Sequence, residues 1–161
     1  MNEQQRLFFV QAESDYRVLR LLQSRGEPAC QVLHYLQMST EKLARVYLWK
    51  QAAVKTSHAA FSKFLRSIAG DDRVRDELGY RSREQWDAKL RGIASLAAAV
   101  QRLAPDLAGD GPNPEYPWPP DHPTSAPTEF EFPVWGELQK ANGRVLLDFL
   151  DKLFQHAPRC F

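Results

Sequence analysis

Lys55, Thr56, Ser57 and His58 make a polar joint between two apolar-patterned stretches, and a histidine in such company is a candidate acid or base. An imidazole titrates near neutrality. At a helix start it faces unpaired backbone N–H groups and the positive end of the helix dipole, which together with Lys55 would lower its pKa. Thr56 and Ser57 complete a corner suited to an anion. In RNA cleavage such an imidazole would take the proton of a 2′-hydroxyl while a fixed cation stabilises the phosphorane. Arg45, Lys55 and Arg66 are the cations within reach along the chain, although none stands at a diagnostic spacing. The plainer reading, and the favoured one, is that His58 caps or packs the helix start.

Other constellations are thinner. Cys30 and His34 stand four apart on a predicted helix and project from neighbouring turns, but no Asp, Glu or His nearby completes a tetrahedral metal site. Glu41 lies beside Gln37 at the edge of an apolar stripe, where a partly buried carboxylate requires a partner such as an arginine from another helix; a structural ion pair is the ordinary outcome. Glycine-rich phosphate loops, Ser-His-Asp signatures and paired catalytic carboxylates are not recognisable, so no cofactor is indicated. The two cysteines, Cys30 and Cys160, lack CxxC spacing and read as reduced thiols.

Five helices must position these groups. The first is predicted from Glu3 to Gln23, ending at Gly26, with Leu7, Val10, Val18, Leu19 and Leu22 as its apolar candidates. The second opens at Pro28 and repeats Ala29, Val32, Leu33, Leu36, Thr40, Leu43, Ala44 and Tyr47 on one face. Its far side carries Tyr35, Met38 and Trp49, large residues that a purely wet surface does not need, and these are predicted to meet a second molecule. The third starts at Thr56 or Ser57 and places Phe61, Phe64, Leu65 and Ile68 on one side before Gly70. Ser82 with Gln85 reads as a capping box opening the fourth, whose stripe is Trp86, Leu90, Ile93, Ala97 and Val100, with Pro105 as its stop. The fifth runs from about Trp135 to Gln155 through Leu138, Ala141, Val145, Phe149 and Leu153, locally weakened by Gly143.

Composition bounds the rest. A chain of 161 residues, 43% hydrophobic and 25% charged, fits a single domain over 1–161 with a substantial core. A net charge of +1 creates no general pull toward nucleic acid. The densest basic stretch, DDRVRDELGYRSREQ, interleaves both signs and reads as a salt-bridged connector. There is no apolar run of the ~20 residues that crosses a membrane, and the first residues lack the order of a secretory signal, so a cytoplasmic location is the default expectation. Residues 105–133 hold nine of the eleven prolines. Regular helix is excluded there, yet Tyr116, Trp118, Phe130 and Phe132 are costly to leave in water. An ordered strap pinned by those rings is expected.

These segments in this order resemble the HEPN superfamily, helical bundles named for higher eukaryotes and prokaryotes nucleotide-binding. The similarity lies in AESDYRVLRLL, LQMSTEKLARVYL, KTSHAAFSKFL, EYPWP and a closing helix. The most specific parts are Gln37 to Lys42 ending a long helix and Thr56 to His58 after a short gap. Ser57 departs from the family's Thr-His step, and Ala59 stands where Asp commonly follows the histidine.

The resemblance implies an all-α, up-and-down bundle of four to five helices that tends to dimerise. Many relatives are ribonucleases of toxin–antitoxin and antiviral systems, and others are accessory subunits of minimal nucleotidyltransferases. The nuclease branch carries an Arg four to six residues before a His. No Arg stands so before His34, His58, His122 or His156. The sequence therefore predicts a non-catalytic binding or assembly protein, a homodimer or the mate of a hetero-partner, with nucleotide or RNA as candidate ligand and no membrane partner. The alternative is a metal-independent ribonuclease or nucleotide-handling enzyme with a divergent site at His58 and Arg45.

Overall fold

The computed structural model describes residues 1–49 and 59–161, and they form helices without strands. The predicted helices one to five correspond to α1 (Glu3–Arg25), α2 (Ala29–Leu48), α3 (Ala60–Ile68), α5 (Arg83–Gln101) and α8 (Ala141–Cys160). Three short helices join them: α4 (Asp72–Glu77), α6 (Pro105–Ala108) and α7 (Pro133–Leu138). The all-α bundle expected from the periodicity is the fold observed.

Helix α1 opens with a capping box that the sequence reading passed over. The Asn2 side chain accepts from the Gln5 N–H at 2.8 Å, and the Gln5 side chain accepts from the Asn2 N–H at 2.9 Å. Gly26 ends the helix in the left-handed conformation, φ 67°, as its position predicted. The core stripe differs from expectation. Phe9, Ala12, Tyr16 and Leu19 are buried, whereas Leu7 and Val10 are 55% and 48% exposed. Two apolar stripes run along α1, and periodicity alone does not say which faces inward.

Helix α2 is the centre of the molecule. It packs antiparallel to α1 and also against α3, α5 and the 3-10 turn at Pro127–Glu129. Twelve of its residues are buried, from Cys30 to Leu48. Leu33, Leu36 and Leu43 are fully enclosed, and each such side chain contributes about 2 kcal/mol by leaving water.

Helix α3 buries Phe61, Phe64, Leu65 and Ile68, as its stripe predicted. Trp86 of α5 is wholly buried, and its indole N–H donates to the Ile68 carbonyl at 3.3 Å, fastening α5 to the end of α3. Ser82 caps α5 by accepting from the Gln85 N–H at 3.2 Å, one half of the predicted box. The expected connector contains α4, capped by Asp71 and anchored by buried Val74 and Leu78. Its charges pair as predicted, with Arg75 2.6 Å from Asp72 and 2.7 Å from Asp76.

The proline-rich strap is ordered. Trp118 and Phe132 are buried, and Phe130 meets them at centroid distances of 5.2 and 5.0 Å. Tyr116 is not a pin; it is 61% exposed. Regular helix does enter the segment, because Pro105 occupies the first turn of α6, where its missing N–H costs nothing. The predicted fifth helix is two: α7 and α8 meet at a corner over Gln139–Lys140. Gly143 sits there because a Cβ would lie 2.0 Å from the Leu138 carbonyl oxygen.

Candidate functional site

Lys55, Thr56, Ser57 and His58 lie outside the described residues. The described residues with polar groups in close company lie in the α1–α2 layer and in a cleft lined by Tyr47, Arg73 and Arg159.

Gln37, Glu41 and Arg45 occur at helical spacing on α2 and so line up on one face. Gln37 donates from Nε2 to Glu41 Oε2 at 2.8 Å, and Arg45 Nη2 lies 2.6 Å from Glu41 Oε1. Arg45, four residues on along the same helix, is one partner of Glu41. The Glu41 carboxyl is only 8% exposed, and the contact directs the Arg45 guanidinium at Glu41 rather than into solvent. Across the interface, Lys42 makes an ion pair with Asp15 of α1, which also accepts from Gln11 Nε2 at 2.9 Å. Gln5 donates from Nε2 to the Val46 carbonyl at 2.8 Å. These bonds fix the register of α1 on α2.

The residues expected to meet a second molecule are half-buried. Trp49 packs on Phe8 of α1, with ring centroids 5.5 Å apart, and Tyr35 rests against the core with its ring edge-on to His34 at 5.1 Å. Met38 lies one turn along α2 from Tyr35 and is half-buried too. Cys30 is buried, and His34 Nδ1 lies 3.3 Å from Glu115 Oε1, within ion-pair distance but off the hydrogen-bonding direction. Among the described residues no group of three or more His, Cys, Asp or Glu is close enough to hold a metal ion.

A cleft of about 630 Å³ opens beside Gln5, Tyr47, Arg73, Arg159 and Cys160. Its charges are spoken for. The Tyr47 hydroxyl donates to Asp71 Oδ2 at 2.9 Å, and Arg73 lies 3.4 Å from the same oxygen. Burial, the Asp71 hydrogen bond and its charge push the Tyr47 phenol up to about 12. Burial would raise the Asp71 carboxyl, but the hydrogen bonds from Tyr47, Arg73 and the Val74 N–H outweigh it and hold it below the usual range. Glu77 is lowered by hydrogen bonds from His156, 2.9 Å away, and Arg159, 2.8 Å away, which clamp α4 to α8. The Cys160 thiol is pushed up to about 11 by burial and by the carboxylates of Glu77 and Asp71. A thiol so placed stays protonated at neutral pH and is a poor nucleophile.

Sequence reasoning did not find Asp15–Lys42, Tyr47–Asp71 or the Glu77 clamp. Each joins residues 24 or more positions apart. The one local signal available was Asn2 with Gln5. No protein family, curated protein or solved structure matches the chain.

Proposed function

We propose that this chain is a non-catalytic, HEPN-like helical assembly protein. It pairs with a second protein surface as an accessory or partner subunit in a prokaryotic toxin–antitoxin, nucleotidyltransferase or defence setting. One observation carries the reading. Asp15–Lys42 and Glu41–Arg45 commit ionisable side chains of α1 and α2 to internal pairs, whereas Leu7, Val10 and Leu21 of α1 stand in water. Groups committed to internal ion pairs have to break them before doing chemistry, while uncovered apolar side chains gain by association. The resemblance carried by Gln37 to Lys42 and Thr56 to His58, without an Arg ahead of the histidine, supports the accessory rather than the nuclease branch.

The test is incubation of the purified chain with single-stranded RNA in the presence of a chelator, alongside His58→Ala. The expected result is intact RNA with both proteins. Metal-independent cleavage that His58→Ala abolishes, with helicity by circular dichroism unchanged, would replace this reading with a ribonuclease centred on His58.

A further inference from the structure

Helix α1 is apolar on two opposite sides. At 100° per residue, Leu7, Val10, Ser14, Val18 and Leu21 fall within an arc of about 80°, and the buried Phe9, Ala12, Tyr16 and Leu19 lie on the other side of the helix. Leu7, Val10 and Leu21 are 55%, 48% and 46% exposed, while Ser14 is exposed and Val18 half-buried. Nothing in the chain's own fold covers this outer stripe among the described residues. Three large aliphatic side chains on one wet arc of a helix are a contact surface in want of an occupant.

The stripe maps onto itself when reversed. Adding residue numbers to a constant 28 pairs Leu7 with Leu21, Val10 with Val18, and Ser14 with Ser14. This is the condition for an isologous antiparallel helix pair, in which residue i meets j and j meets i. The centre of symmetry falls on Ser14, small enough for two backbones to approach closely. The ends obey the same relation in charge: Glu3, paired within its own chain to Arg6 at 2.6 Å, would stand opposite Arg25 of the other copy. Reversal about another residue loses these matches.

We infer that the outer face of α1 is a homodimer interface, on which a second copy of this chain lies antiparallel with the two-fold axis at Ser14. The inference rests on the assembly reading above and goes beyond it by naming the partner, the helix and the register. Trp49 packs on Phe8, which lies about 100° round the helix from Leu7 and outside the stripe.

Disulfide mapping with sedimentation tests it on the full chain. Ser14→Cys is expected to form a covalent dimer on mild oxidation. Leu7→Cys and Leu21→Cys are each expected to stay uncrosslinked alone but to join when mixed. Cys30 and Cys160 are 3% and 5% exposed, so the wild type serves as the uncrosslinked control. Leu7→Glu with Leu21→Glu, both at exposed positions, is expected to weaken dimerisation on the order of a hundredfold or more while leaving helicity intact. A dimer that Ser14→Cys does not bridge and that the double glutamate variant does not weaken overturns this inference but leaves the assembly reading standing. A chain monomeric across the accessible range overturns the inference, and the RNA assay then judges the assembly reading separately.

Discussion

Glu77 shows how much of this molecule's polar design is long-range clamping. Its carboxyl is held below the usual range by His156 and Arg159, so α4 and α8 are joined more firmly when it is ionised. A carboxyl with a lowered folded-state pKa contributes stability that is complete above its ordinary value, about 4.3, and lost as pH falls through the lowered one. The wild type is therefore expected to lose more of its urea midpoint between pH 7 and pH 3 than Glu77→Gln does. Equal losses would remove Glu77 from the account. At this scale the sequence was legible where partners are local. The need of Glu41 for a cation follows from its place beside an apolar stripe, and Arg45 answers it four residues on. The His156 and Asp71 partnerships were not legible, because topology brings them together rather than spacing.

Gly143 makes the corresponding point for elements. Helix propensity treats it as a flaw in α8, worth about 1 kcal/mol to repair with alanine. The corner between α7 and α8 reverses that judgement, since the new methyl would meet Leu138 backbone atoms at 2.0 and 2.3 Å. Gly143→Ala is expected to destabilise the chain by about 2–3 kcal/mol, read as a lowered urea midpoint. A midpoint unchanged or raised would show that the corner is not tightly packed. The same corner explains why one predicted helix became two: apolar residues continue through Leu138 and Val145, and the turn between them leaves only the close approach of Gly143 as a sign. Helices α3 and α5 were readable because each has a single apolar stripe. Helix α1 was misjudged at Leu7 and Val10 because it has two.

The whole molecule is a bundle built round α2, with the strap held by Trp118, Phe130 and Phe132 and no described helix long and apolar enough to cross a membrane. Its class was legible from periodicity, and the order of the strap from the presence of rings among prolines. The contact of Phe8 with Trp49 was not, since the two meet only once α1 and α2 have packed together. Leu7, Val10 and Leu21 of α1 are left uncovered by the described residues, and the proposal is that another copy covers them. Sedimentation equilibrium across a wide concentration range measures this directly. The expected mass rises from that of the 18.5 kDa chain toward twice it, a rise abolished by Leu7→Glu with Leu21→Glu. A mass fixed at one chain throughout, or a dimer untouched by those two charges, would contradict it.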